Sequence, residues 1–341
     1  MTELKQVFSQ FLLENNIGTY QAFGNGHIHD TYRVETCTGT FIIQRINHHI
    51  FKDIEGMMTN IVLVSEYLSS QSDYTLEVLK PKCTHSGATY IQDDTGNYWR
   101  CFPFIENTAT LEQLETPKQA YAIAHAFGTF IKTLSDFPVT KLKCTIPHFH
   151  NGIYRLQQLN NAVKYSSSGL KKSASTALNF IHSEQFIFDD ISKLNLSTRV
   201  VHNDTKANNI LMNAEGTLAR CVIDLDTVMP GILLSDFGDM VRTCTSSVLE
   251  DSADFGAVEM QKPIFDALYN GFLVALGGVI TVQERNALVL GTKWIILEQA
   301  CRFLTDFLEG DCYYKTKYPT HNLVRAKNQI ALYKSLVAQL G

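Results

Sequence analysis

The chain has 341 residues, of which 45% are hydrophobic and 18% charged, and its formal net charge at pH 7 is −5. That length supports one large or two medium domains with a substantial core, and the composition carries no signature of disorder. No block of Lys or Arg stands out, so nucleic acid and acidic membrane surfaces are poor candidates as partners.

The eight cysteines are scattered and contain no CxxC pair. A metal framework or a disulfide-stapled domain needs tighter spacing, so the expectation is free thiols in a reducing, cytosolic compartment. Leu4, Val7, Phe8, Phe11 and Leu12 form the stripe of an amphipathic helix rather than a signal peptide. The most apolar run, Phe272 to Ile280, contains Gly277-Gly278 and is too short to cross a bilayer.

After that first helix, residues 19–46 read as three strands with turns. They comprise the glycine-rich turn Phe23-Gly24-Asn25-Gly26-His27, a weak alternation from Asp30 to Glu35, and a β-rich apolar run from Thr40 to Ile46. A helix is predicted over 53–69, then strands near 75–80, 88–92 and 97–104. From Thr110 onward the pattern is mostly helical: 117–136, 151–164, 174–191, 257–276, 281–309 and 320–339. Two short strands, 209–213 and 219–224, interrupt it. A strand-rich first third and a helix-rich remainder predict an α+β fold with two lobes, 1–105 and 106–341, hinged near Phe104-Ile105-Glu106-Asn107.

The chemistry concentrates in Val200-Val201-His202-Asn203-Asp204-Thr205-Lys206-Ala207-Asn208-Asn209-Ile210-Leu211. Twenty residues after Asp204 comes Val222-Ile223-Asp224-Leu225-Asp226, an apolar strand ending in two carboxylates. Phosphoryl transfer needs a carboxylate to orient the attacking hydroxyl, oxygen ligands for magnesium, and positive charge on the transferring group. The order HxDxxxxN…D supplies the first two, and Lys206 could supply the third. Each residue alone fits a solvated polar loop; their joint spacing and strand context do not.

This segment resembles the catalytic loop and metal-binding aspartate of the aminoglycoside phosphotransferase and choline kinase superfamily, relatives of the protein kinases. The resemblance implies ATP and Mg2+ as cofactors, Asp204 as base, Asn209 and Asp224 as magnesium ligands, and His202 as a prop of the loop. Asn203 stands where protein kinases carry arginine, Leu225-Asp226 replaces Phe-Gly, and no Ala-Pro-Glu follows, so a protein substrate is not expected. Asp226 either assists a second metal or hydrogen-bonds the loop. Asp236 reads as the cap of a following helix.

Residues 1–105 then read as a nucleotide-binding lobe and 106–341 as a catalytic and sugar-binding lobe. Gly24 and Gly26 could let backbone amides approach phosphates, although a hairpin turn fits equally. Phe41-Ile42-Ile43-Gln44-Arg45-Ile46 resembles the strand that carries the phosphate-binding cation, here Arg45. Its partner carboxylate would lie on the next helix, at Glu55 or Glu66. The backbone of Phe104, Ile105 and Glu106 would meet adenine.

Further segments resemble N-acetylhexosamine 1-kinases. They are Gly26-His27-Ile28-His29-Asp30-Thr31-Tyr32, Ile43-Gln44-Arg45-Ile46-Asn47, Trp99 to Glu106, His202 to Lys206, Ile223 to Gly231, and Arg302 to Leu308. The resemblance implies phosphorylation of the anomeric hydroxyl of N-acetylglucosamine or N-acetylgalactosamine, with His27, Asp30, Lys206, Arg302 and Tyr313 facing the sugar. For Arg302 the alternative is a surface pair with Glu298. Met229-Pro230-Gly231 reads as a turn. A kinase for another small alcohol, such as an aminoglycoside or choline, and a nucleotide-binding pseudokinase scaffold are the competing readings.

Overall fold

A computed structural model describes residues 3–12, 17–24 and 28–341. In chain order the elements begin with α1 (Glu3–Phe11), β1 (Ile17–Ala22), β2 (Asp30–Thr36), β3 (Gly39–Ile46) and α2 (Ile54–Ser70). Next come β4 (Glu77–Val78), β5 (Ile91–Gln92), β6 (Tyr98–Pro103) and β7 (Thr108–Ala109), then α3 (Pro117–Thr133), α4 (Gly152–Tyr165), α5 (Ser168–Glu184) and α6 (Phe186–Lys193). The remainder is β8 (Arg199–Val201), β9 (Ile210–Asn213), β10 (Ala219–Val222), β11 (Met229–Gly231), α7 (Leu233–Cys244), α8 (Lys262–Leu276), α9 (Val282–Glu309) and α10 (His321–Leu340). The fold is α+β, an antiparallel N-terminal sheet followed by a mostly helical region. Among the described residues no helix is long and apolar enough to cross a membrane.

The N-terminal sheet runs β1-β2-β3-β6-β5. Val34, Ile43, Trp99 and Cys101 project from one face onto Val7, Phe8, Phe11 and Leu12, giving the first helix the covered apolar stripe that its sequence spacing demands. Pairing places Asp30 opposite Arg45 and Gln44 opposite Arg100. Directly opposed residues share a face, so each pair can interact. A second sheet, β4-β10-β9-β7, takes its parallel edge strand β4 from the N-terminal third.

Several predicted boundaries move. The single helix expected over 174–191 is two, α5 and α6, meeting at Gln185, where no glycine or proline announces a break. The helix expected from 257 begins at Lys262, with a proline in its first turn, the place where the missing N–H costs nothing. Met229-Pro230-Gly231 is not a turn but the strand β11, antiparallel to β8. Gly231 allows that pairing, since a Cβ there would lie 2.5 Å from Val201 Cγ2.

Helix α9, 28 residues long, carries a capping box between Thr281 and Glu284 and packs on α4, α7 and α10. Its crossing with α7 is built on glycine from both sides. A Cβ at Gly238 would sit 2.7 Å from the Gly291 carbonyl oxygen, and a Cβ at Gly291 would sit 2.7 Å from Leu234 Cβ. In an exposed helix Gly→Ala stabilises by roughly 0.5–1 kcal/mol. Here the methyl meets backbone, so overpacking of about 1–3 kcal/mol should win. Gly238→Ala should therefore lower stability in urea unfolding; a neutral or stabilising result would show that the two helices are free to separate.

Candidate active site

The strand β8 carries Val200 and Val201 into the core, and the chain leaves it through a loop held in large part by α7. Asp236 Oδ2 accepts the amide of His202 and Oδ1 that of Asn203, both at 2.7 Å. Thr205 donates its hydroxyl to the Asp236 carbonyl at 2.6 Å and its amide to Asp239 at 3.0 Å. Asp236 thus does not cap a later helix; it lies in the first turn of α7 and clamps the loop. Asn203 has φ of 65°, the left-handed conformation that Asn tolerates better than most residues. Its side-chain amide donates to the Thr227 carbonyl at 2.9 Å, which ties the loop to the segment after Asp224.

His202 is fully buried between Phe127 and Phe130. Its Nδ1 accepts the Asp204 amide at 3.3 Å, leaving the proton on Nε2, which donates to the Ile223 carbonyl at 2.9 Å. Burial pushes its pKa down and keeps the ring neutral. The ring therefore joins the Asp204 loop to the strand end before Asp224.

The loop presents Asp204 with one oxygen engaged and one free. Lys206 Nζ and Asn209 Nδ2 both reach Oδ2 at 3.0 Å, while Oδ1 accepts no hydrogen bond from the described residues. Burial would raise the Asp204 pKa, but Lys206, through charge and hydrogen bond, and the Asn209 amide outweigh it and hold the carboxyl below its ordinary value. Lys206 is kept charged against burial by Asp204 and Asp224. Asp224 follows β10 in the left-handed region, with φ of 60°. Burial and the charges of Asp226 and Asp204 push its carboxyl up to about 6. Neither the Asp224 carboxylate nor Asn209 Oδ1 accepts a hydrogen bond from the described residues, which leaves two hard oxygen donors unengaged. That donor set fits a magnesium ion.

The buried carboxylate two positions on is handled differently. Arg100, 1% exposed, forks onto both oxygens of Asp226, with Nη2 at 2.9 Å from Oδ2. His29 reaches the same Oδ2 at 2.6 Å. Arginine and histidine together hold Asp226 ionised against burial, well below the usual carboxylate range.

The expected nucleotide-contacting residues are spread along the N-terminal sheet and its exit. Gly24 has φ of 78° and open space where a Cβ would be; Gly26 and His27 lie outside the described residues. Arg45 is paired across the strands with Asp30, its Nε 2.7 Å from Oδ2, so its carboxylate partner is neither Glu55 nor Glu66. The cross-strand partner wins because register sets it directly opposite. Phe104 donates its amide to Thr40, while those of Ile105 and Glu106 take no partner among the described residues.

On the far side of the loop, Arg302 forms no pair with Glu298. Its guanidinium lies over the rings of Phe149 and Tyr314, at 5.3 and 5.8 Å from their centroids, and donates to Gln299 at 3.2 Å. Tyr313 is 53% exposed. Its amide and that of Tyr314 are fixed by the buried Asp306 carboxylate at 2.7 and 2.9 Å. Glu298 is used instead by Trp294, at 3.0 Å, and by His150 Nδ1, also at 3.0 Å.

His150 Nε2 lies 3.1 Å from the Asn203 carbonyl, so both ring nitrogens face acceptors and the ring is a cation bracing the loop. Burial alone would lower its pKa, but Glu298 and the carbonyl raise it above the ordinary value. A raised histidine pKa stabilises fully below about pH 6.5 and loses that contribution as pH rises through the folded value. The stability gap between wild type and His150→Gln should therefore narrow as pH increases from 6 to 9 in thermal melts. A gap independent of pH would show that the ring is uncharged.

Comparison with known proteins agrees with this architecture. The model of the phosphotransferase enzyme family (APH) matches residues 19–261. Solved structures of similar fold include an aminoglycoside phosphotransferase from Alicyclobacillus acidocaldarius, 14% identical with a TM-score of 0.66, covering 98% of this chain and 95% of that one. A microcompartment-associated aminopropanol kinase is 14% identical with a TM-score of 0.64, covering 99% and 98%. Spectinomycin phosphotransferase in complex with ADP and spectinomycin is 13% identical with a TM-score of 0.62, covering 94% and 93%. The family match spans well over half of the chain, and this protein belongs to the phosphotransferase enzyme family.

Proposed function

We propose that this phosphotransferase moves the γ-phosphoryl group of ATP to the anomeric hydroxyl of an N-acetylhexosamine, N-acetylglucosamine or N-acetylgalactosamine. The observation that carries the reading is the asymmetry of Asp204. One oxygen is fixed by Lys206 and Asn209, and the other is open to an acceptor hydroxyl. A carboxylate so held orients the hydroxyl for in-line attack and accepts its proton as the bond to phosphorus forms.

Asn209 and Asp224 would hold magnesium, which when bound offsets phosphate charge and orients the phosphates. Lys206, charged and next to Asp204, neutralises negative charge that builds on the transferring group. Gly24 and Gly26 would approach the phosphates, with Arg45 near them, and the open amides of Ile105 and Glu106 would meet the adenine edge, with Phe104 beside it. That a protein of the same fold is solved with ADP supports a nucleotide in this place. Asp204→Asn keeps the size and the link to Lys206 but accepts no proton. Turnover should fall by about 10²-fold or more with nucleotide affinity little changed. Near-normal turnover in the purified variant would remove Asp204 from this role.

The acceptor is argued from the walls. A neutral sugar needs flat apolar surfaces and directional hydrogen bonds rather than a bank of carboxylates. Phe149, Tyr314, Arg302 and the exposed Tyr313 supply such a surface, joined to the Asp204 loop through His150 and Asn203. Sequence resemblance around His27, Lys206 and Arg302 supports the anomeric oxygen as the acceptor. The enzyme should consume the free sugars and reject their methyl glycosides, whose anomeric oxygen has no proton to lose. The product should be non-reducing and show phosphorus coupling to H1 by NMR; coupling to the H6 protons would sink the positional assignment and leave kinase activity standing.

A further inference from the structure

His29, Asp224 and Asp226 bring one potential ligand atom each within 4.8 Å of one another, which by composition alone suggests a second cation site. The hydrogen bonds argue otherwise. His29 Nδ1 accepts the amide of Asn47 at 3.0 Å, so the ring's proton sits on Nε2 and points at Asp226. A nitrogen carrying its proton is not a ligand. Both oxygens of Asp226 are already taken by the Arg100 fork, and Arg100 Nε is steered by Gln44 Oε1 at 3.0 Å. Gln44 in turn donates to Thr31 at 3.2 Å, which fixes its amide orientation. From the helical side, Thr145 donates to the Asp226 carbonyl at 3.1 Å.

Two segments of the N-terminal sheet region therefore converge on the Asp226 carboxylate, the one after the glycine-rich turn through His29 and β6 through Arg100, and β3 supports the second through Gln44. We infer that Arg100 and His29 are positioning residues. They convert Asp226 from a cation ligand into the anchor that joins the N-terminal sheet to the catalytic segment, and they leave Asp224 as the free carboxylate beside the phosphates. The inference deepens the phosphoryl-transfer reading and rests on it. A buried arginine needs its counter-ion, since removing either partner strands an uncompensated charge. A cation drawn to Asp226 would have to displace the Arg100 fork and the His29 Nε2 donor from its two oxygens. The link also runs through the same strand end that carries Asp224. Its loss should therefore loosen the metal ligand and the sheet together.

The test uses Arg100→Met, Arg100→Lys and His29→Phe in the full chain. Groups that support metal-ligating residues through hydrogen bonds typically contribute about 10- to 100-fold in metal affinity or activity. The magnesium midpoint of ATP turnover should accordingly rise about tenfold or more in Arg100→Met, with nucleotide KM rising and acceptor KM nearly constant. Amides of residues 224–229 and 98–103 should exchange faster together, because they unlatch as one unit. A role confined to folding would reduce the active fraction and leave the midpoint unmoved, and that result overturns the proposal. Where Arg100→Met fails to fold, Arg100→Lys and His29→Phe carry the same readouts. Should wild type phosphorylate no sugar, the acceptor reading fails. Calorimetric magnesium binding with a non-hydrolysable ATP analogue still decides the bridge. Loss of one of two magnesium ions on Asp226→Asn, with Arg100→Met binding normally, would make Asp226 a ligand and end the inference.

Discussion

The amides of His202 and Asn203 enter a single carboxylate, that of Asp236, and the geometry of the rest of the site follows from that pair of bonds. A left-handed non-glycine residue costs about 1–3 kcal/mol, and Asn203 and Asp224 each adopt that conformation. Bonds to a buried carboxyl return roughly 1–3 kcal/mol apiece, and Asp239 adds another through the Thr205 amide. The clamp is therefore of the same order as the strain it must hold. Because Asp236 and Asp239 lie three apart on α7, they present to the loop from one helical face. His150, held by Glu298 of α9, braces the same loop at the Asn203 carbonyl, so the loop that carries Asp204 is tied to both α7 and α9 rather than being a free turn.

Charge is distributed with the same economy. Three aspartates meet at the site: Arg100 pairs with Asp226 and Lys206 with Asp204. Asp224 forms no ion pair among the described residues, and burial with the charges of Asp226 and Asp204 raises its pKa. Lys206 is shared between Asp204 and Asp224, so positive charge introduced beside Asp224 would loosen the lysine's hold and leave it freer to serve the transferring phosphoryl group. The site is electrostatically incomplete in one direction only.

Much of this was legible in the chain, and the omissions have a common cause. The spacing HxDxxxxN followed by Asp224 brings those residues together because strand, turn and strand are local and short. Three strands over 19–46 and two near 88–92 and 97–104 were legible and make up the five-stranded sheet, whose order was not, and the amphipathic first helix was legible in its stripe. Asp236, His150, Glu298, Arg100 and His29 were assigned no such part because their partners lie far along the chain. His29 and Arg100 reach across 197 and 126 positions to Asp226. Local pattern does not encode such pairings. Two signals were nevertheless present: an arginine inside the apolar strand Trp99-Arg100-Cys101-Phe102, and two aspartates at helical spacing in Asp236-Phe237-Gly238-Asp239. Arg45 shows the converse error. Its cation was visible, but its partner was sought on the next helix when register had already placed Asp30 opposite.

The glycine contact between α7 and α9 has a consequence for how such a protein can change over generations. Gly238 and Gly291 fix the spacing of the two helices by backbone contact, a dimension that surface side chains do not alter. The clamp on the Asp204 loop hangs from α7, whereas Arg302 and the residues leading to Tyr313 belong to the far end of α9 and its exit. Substitutions along that outer stretch can change the surface around Arg302 and Tyr313 while the spacing of the two helices at the glycines stays constant. Selection can thus act on one helix end without first repairing the loop held at the other, and the contact between the two glycines is what separates them.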